Sequence, residues 1–352
     1  MIISTAQTET EGDELADELN NDAAELEVRP FQIEASQHGQ RLDVALVKLL
    51  PEFSRSFLQQ LIEAGAVTLA GARAKKPSSR MKMGTMGSVE LRPTAQSQAY
   101  KAEDISLDIV YKDEHLLIVN KPAGLVVHPA PGNWSGTLLN ALLGFDSQAS
   151  TIPRAGIVHR LDKNTSGLMV VARNRSAMDA LVQMIAARTV SRQYLALTSK
   201  PWIGAVHRDV EAPIGRDPRN RLRMAVVDLD RSAGKEAKTT LSLLDSNQHG
   251  SLVCCKLHTG RTHQIRVHMA SIGLPILADD VYGGKQSLGL QRQALHAFRL
   301  GFVHPVTQAD LDFYTPVPPD FGNAMAELGL RYNEVSTGNP VSPRKNLRHG
   351  AV

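Results

Sequence analysis

Residues 154–173, RAGIVHRLDKNTSGLMVVAR, set one carboxylate among cations: Asp162 has Arg154, His159, Arg160 and Lys163 as sequence neighbours. A cation beside a carboxylate lowers its pKa by about one to three units, so such an aspartate stays ionised at neutral pH and can attack as a nucleophile. By its chemistry alone, HRLDKNTSG is also a polar strand-to-strand turn held by Asp, Asn, Thr and Ser hydrogen bonds. A second cluster, KLHTGRTHQIRVHMASIG at 256–273, offers Arg266 as a planar fork for a carboxylate or phosphate, or as an ordinary surface arginine on a helix. His263 and His268 are five apart, and neither HExxH nor another ligand spacing occurs, which points away from zinc. Tyr194, in SRQYLALTS, suits half-buried packing on a strand or stacking on a base. From Gly215, GRDPRNRLRMAV sets Arg216, Arg219, Arg221 and Arg223 in a basic loop that is either solvated or grips RNA.

These groups need rigid elements behind them. Short β-rich runs at 105–111, 116–120, 167–173, 194–198, 239–244 and 252–257 alternate with turn signals, and helical patterns stand at 176–188 and 262–271. That mixture predicts an α+β domain on a largely antiparallel sheet over residues 105–330. A helix opening at Thr262 would put Arg266 one turn further on.

Residues 38–93 form a smaller α/β module. Leu42, Ala45, Leu46, Leu49 and Leu50 share one helical face over 41–50, and Ser54 is a good N-cap for a second helix to residue 64, with Phe57, Leu58, Leu61 and Ile62 inward. Strands follow at 66–69 and 88–91, around the basic run GARAKKPSSRMKMG. Arg55, Lys75 and Lys76 in this module could line a phosphate backbone, or simply sit on a solvated face. Residues 94–104 read as a linker, 1–30 as an acidic disordered arm and 334–352 as a flexible tail.

A length of 352 residues predicts about two domains. With 42% hydrophobic and 21% charged residues, collagen-like, wholly disordered and disulfide-stapled classes are excluded. No apolar run is long enough to span a membrane, the start has no signal-peptide pattern, and the only cysteines, Cys254 and Cys255, are adjacent; a cytoplasmic protein is expected. Net charge is +3, but nine acids and no Lys or Arg fall in residues 1–28, leaving 39 basic against 27 acidic groups beyond them. That surplus suits either a solvated basic surface or a polyanionic partner.

Together, VNKPAGLVVHP (119–129), the Asp162 stretch, RQYLAL (192–197), GRTHQIRVHMASIGLPILADDVYG (260–283) and RQALHA (292–297) resemble the RluA family of pseudouridine synthases, and 38–93 resembles the S4 RNA-binding domain. HRLDxxTSG has seven fixed positions, and its chance occurrence in a chain this long is about 10⁻⁷ to 10⁻⁶. The resemblance implies isomerisation of uridine to pseudouridine without metal or organic cofactor. It implies large-subunit (23S) ribosomal RNA or a pre-50S particle as partner, with the helix 69 hairpin as target; apart from the resemblance, a monomer off the membrane is expected.

By the same resemblance Asp162 is the catalytic aspartate, as nucleophile at C1′ or as the base that first deprotonates the ribose. Tyr194 packs on the target base and helps remove the C5 proton, and Arg266 pairs with the carboxylate. Ile265 lines the pocket and Arg160 fills the gap left by the extruded nucleotide. His159, Arg221, Arg55, Lys75 and Lys76 are expected on the RNA side. Transfer RNA, another ribosomal site, and a non-catalytic RNA-binding assembly protein are the competing readings. One departure stands out: Ala278 holds a position where glycine is expected, tolerable if the backbone there does not need positive φ.

Overall fold

The computed structural model describes residues 27–91, 99–130, 133–220 and 223–332. They form two compact units that divide the chain between Gln98 and Ala99.

In the N-terminal unit, strands β1 (Glu27–Gln32), β2 (Val67–Leu69), β3 (Ala72–Arg73) and β4 (Met86–Leu91) make an antiparallel sheet in the order β1-β4-β2-β3. Helices α1 (Leu42–Leu49) and α2 (Arg55–Glu63) bury the apolar stripe that their spacing predicts: Leu42, Leu46, Leu58, Leu61 and Ile62 lose all their exposure. Ser54 caps α2 by accepting the Phe57 N–H at 3.2 Å, and Gly65, at φ 68°, turns the chain away beyond its end. The N-terminal sheet takes in residues 27–30, expected as part of the acidic arm. Residues 27–32 pair along β4, and Phe31 and Ile33, two apart as a strand requires, join the core. Residues 1–26 of that arm and the tail at 334–352 lie outside the described residues.

The C-terminal unit contains β5 (Ile109–Lys112), β6 (Leu116–Lys121), β7 (Ser166–Ala172), β8 (Ser191–Thr198), β9 (His207–Glu211), β10 (Ile214–Arg216), β11 (Met224–Val226), β12 (Gly234–Lys235), β13 (Lys238–Asn247), β14 (Gly250–Leu257), β15 (Leu295–Val303) and β16 (Asp310–Tyr314). Strands β10 to β12 form a small sheet. The rest form a nine-stranded sheet in the order β5-β6-β7-β15-β8-β14-β13-β9, with β16 also on β15. Every strand pairing among the described residues is antiparallel except β7 with β15, so the architecture is the expected α+β one. Helices α3 (Leu138–Phe145), α4 (Arg175–Ala186), α5 (Gln264–Ser271) and α6 (Pro319–Glu327) complete the unit.

The sheet has a core on each face. Met169 and Val171 of β7 pack with Leu195 and Ile265, while Leu168 and Val170 pack with Leu181, Leu300 and Phe302. Burial on both sides is why β7 reads as an unbroken apolar run rather than an alternation.

Three expectations shift. The run at 105–111 becomes a strand only from Ile109, where pairing with β6 begins. The segment expected as a linker is not free at its end: Asn140 of α3 donates to the carbonyls of Ala99 and Lys101, and the Glu103 carboxylate accepts the Gly136 N–H. Lastly, α5 starts at Gln264, because His263 takes a left-handed conformation at φ 57°.

Candidate active site

The loop bearing Asp162 enters β7 and is held by hydrogen bonds at several points. Lys121, almost wholly buried at the end of β6, gives its ammonium to the carbonyls of Pro122, Leu125 and Lys163 at 2.7, 2.9 and 3.1 Å. Burial pushes this lysine down to about 7, against the pull of the nearby Asp162 charge. Arg292 donates to the Asn164 carbonyl while gripping Asp320 of α6 with both arms, and Gln293 reaches the Thr165 hydroxyl. At Gly167 the loop passes so near β15 that a Cβ would lie 2.2 Å from the Ala297 carbonyl oxygen, and φ is 114°. Only glycine fits both demands.

Asp162 is thereby presented at a cleft of about 700 Å³. Arg266, 6% exposed on α5, donates to Asp162 Oδ2 at 3.2 Å. Its other two contacts go to a second carboxylate. Nε and Nη2 clasp Asp279 at 2.7 and 2.8 Å. Burial works against the Arg266 charge, but Asp279 and then Asp162 more than offset it and raise the pKa. Tyr282 lies beneath the guanidinium, 4.9 Å from ring centroid to Cζ.

Asp279 escapes a reading of spacing. It sits thirteen residues after Arg266, in an irregular turn. The available clue is that a buried arginine demands a counter-charge. That turn also settles the Ala278 question against the simple expectation: φ there is 59°, so the backbone does require the left-handed region.

His263 also borders the cleft, beside Asp162. The Tyr282 hydroxyl accepts the Met224 N–H at 3.0 Å and is hydrogen-bonded to His263 Nδ1 at 2.8 Å. The other ring nitrogen, Nε2, faces Asp162 Oδ1 at 3.9 Å. Burial lowers the His263 pKa, with the Asp162 charge opposing. The left-handed turn is stabilised by Gln264, whose Oε1 accepts from Arg261 N–H and the Thr259 hydroxyl.

Tyr194 and Ile265 are buried and line the same cleft. Burial pushes the Tyr194 phenol up to about 12, so its resting form at neutral pH is protonated. His159 also borders the cleft, yet its Nε2 accepts the Val170 N–H at 3.1 Å and burial pushes its pKa down to about 3. It is therefore a neutral ring that ties the loop to β7. Arg160 is exposed at the cleft. Arg154, Arg188, Arg192 and Arg261 line it too, against Asp162 as its one lining carboxylate among the described residues. The cleft thus favours an anionic ligand.

The remaining expected RNA contacts divide. Lys75 and Lys76 are exposed in the N-terminal unit. Arg55 is half-exposed and engaged, with Nη2 2.7 Å from buried Asp43. Arg221 lies outside the described residues, and Arg223 beside it pairs with Asp217 at 2.7 Å. Among the described residues no three His, Cys, Asp or Glu side chains gather as metal ligands, and no helix is long and apolar enough to cross a membrane.

With that geometry established, residues 115–271 match the family described as RNA pseudouridylate synthase, and residues 40–86 match the S4 domain. Ribosomal large subunit pseudouridine synthase D of Neisseria meningitidis serogroup B is 47% identical over 306 residues, covering 83% of this chain and 79% of that protein. The protein of the same name from Xanthomonas campestris is 43% identical, covering 86% and 92%. Among solved structures, human RNA Pseudouridylate Synthase Domain Containing 4 aligns with a TM-score of 0.50 and 26% identity, over 64% of this chain and 94% of that one.

Proposed function

The chain belongs to the RNA pseudouridylate synthase family, and from that premise we propose that it converts uridine to pseudouridine in large-subunit ribosomal RNA, at the helix 69 hairpin, with Asp162 as the reacting carboxylate. The observation that carries the reading is the state of Asp162: an ionic contact from Arg266 on one side, a cleft on the other. The relatives named for the ribosomal large subunit support the choice of RNA, and the S4 match supports RNA as the partner.

A stacked uridine hides its glycosidic bond, so the base must first leave the helix at a cost of a few kcal/mol. Phosphate contacts from cleft arginines, and from Lys75 and Lys76, offset that cost. In the pocket the N1–C1′ bond breaks, the base turns, C5 bonds to C1′, the C5 proton leaves and N1 gains one. Asp162 serves this sequence as nucleophile at C1′ or as base at the ribose. Arg266 keeps it aimed, since Asp279 anchors the guanidinium from behind. Tyr194 packs on the base and helps remove the C5 proton: as its protonated phenol takes that proton, its own passes to solvent water, from which N1 gains one. Arg160, exposed at the cleft, fills the vacated stack.

The test is pseudouridine mapping of large-subunit RNA after incubation with wild type and with Asp162→Asn. Pseudouridine in the helix 69 hairpin with wild type alone is the expected result. Modification of other RNA would overturn the substrate, and binding without any modification would make the chain an RNA-binding protein with an idle pocket.

A further inference from the structure

Two buried arginines share the cleft, and they are treated oppositely. Arg266 has two carboxylates. Arg192, equally buried at 6% exposure, has none: among the described residues no side-chain hydrogen bond or ion pair holds it, and its Nε is a buried donor without a partner. A buried uncompensated charge is expensive, and proteins rarely keep one without a use.

Its placement is specific. Arg192 and Tyr194 are two apart on β8, hence on one face, and both line the cleft, whereas Gln193 between them faces the other way toward Cys254. Room for the guanidinium comes from Gly260, where a Cβ would stand 3.0 Å from Arg192 Nη1. The charge is felt at Tyr194 and His159, whose pKa values it lowers.

We propose that Arg192 is a substrate-binding residue whose missing counter-ion is an anionic oxygen of the extruded nucleotide. Two oxygens have that chemistry: the phosphodiester flanking the target uridine, and the uracil carbonyl that gains charge when the glycosidic bond opens. A planar guanidinium bonds either one with two donors. This assignment rests on the reading of the cleft as a uridine pocket.

The experiment compares wild type, Arg192→Met and Arg192→Lys on the mapped RNA, reading affinity, single-turnover rate at saturating RNA, and melting temperature. A parallel set uses RNA with a neutral methylphosphonate on each side of the target. Arg192→Met is expected to lose about 10- to 100-fold in rate or affinity, the range for a charge-assisted hydrogen bond, with partial recovery in Arg192→Lys. Its melting temperature should stay level or rise, because the uncompensated charge is gone. If the phosphate is the ligand, the loss is in affinity, and the methylphosphonate weakens wild type but adds nothing in Arg192→Met. If the uracil is the ligand, the loss is in rate, and the methylphosphonate affects both proteins alike. Arg192→Met within twofold of wild type in both readouts overturns the proposal, as does a lost activity matched by a lowered melting temperature in both variants. Failure of wild type to form pseudouridine strikes the functional reading instead, and the affinity arm still tests Arg192.

Discussion

The N-terminal unit and the cleft each bury an aspartate–arginine cluster, and the two are wired in reverse. In the first, one carboxylate serves several donors. Asp43, with no exposed surface, accepts from Arg41, Arg55, Gln59 and the Val44 N–H. Burial raises its pKa, but these bonds outweigh burial and hold it well below the usual carboxylate range. In the second, one arginine serves two carboxylates, and Asp279 takes the better contacts, leaving Asp162 a single long one. A carboxylate whose lone pairs are all used is a fastener. One held from a single side keeps lone pairs for a substrate, and that contrast supports the proposal that Asp43 is structural and Asp162 reactive.

The sharpest way to break the comparison is to neutralise each carboxylate in turn. Asp162→Asn should reduce pseudouridine formation by at least ~10³-fold while RNA affinity stays within a few-fold, because its single contact does little for binding or stability; turnover near wild type would remove it from the mechanism. Next comes Asp279→Ala, which strands Arg266 in the interior. Calorimetry should show a loss of about 3–5 kcal/mol from the C-terminal unit, with turnover falling too as Arg266 swings toward Asp162. An unaltered melting profile would mean that Asp279 is not the anchor.

Asp43→Asn should cost less, about 2–3 kcal/mol in the N-terminal unit, since Arg41 and Arg55 are half-exposed and rehydrate. The single-turnover rate at saturating RNA should hold. A fall in that rate would tie Asp43 to the chemistry.

Acid sharpens the comparison further. His296, 1% exposed, is pushed by burial down to about 4, and His159 to about 3. A histidine with a depressed folded pKa stays neutral while the unfolded chain takes up protons, so stability falls as pH drops from about 6.5 to each folded value. At ~1.4 kcal/mol per unit, His296 alone removes about 3 kcal/mol from the C-terminal unit by pH 4. Asp43 acts in a lower window: its depressed pKa contributes stability above the unfolded carboxylate value, lost only as pH falls below about 4. Acid melts followed by calorimetry should therefore weaken the C-terminal unit first, and the reverse order would contradict the pairing described above. The smallest effect is expected of Ala278→Gly. Relief of a left-handed φ gains about 1 kcal/mol, and loss of a buried methyl offsets much of it, so the net change should stay below ~1 kcal/mol by thermal melt.

Much of the frame was legible in residue patterns. The apolar periods at 41–50 and 54–64 mark α1 and α2, and the short apolar runs mark β6, β7 and β14. Asp162 and Arg266 stand out once the motifs are set together. What stayed hidden depends on contacts between distant segments. LHAFRLGFV, with His296, Arg299 and Gly301 interrupting its apolar residues, does not announce the central strand β15, which owes its burial to β7 and β8. Asp279 and Lys121 matter through what they hold, and neither spacing nor propensity reports a partner. The left-handed His263, which delays α5, is set by the Gln264 and Tyr282 contacts rather than by local preference.

The place of β15 has a consequence for biosynthesis. It lies between β7, which carries the Asp162 loop, and β8, which carries Tyr194, yet it is made about a hundred residues after β8. A nascent chain that has already exposed all three site residues cannot close its sheet until residues 295–303 leave the ribosome. Until then β7 and β8 keep open edges that invite mispairing and slow, high-contact-order folding. The cleft should thus form abruptly, late in translation, and a chain halted near residue 290 should carry Asp162, Tyr194 and Arg266 and no activity.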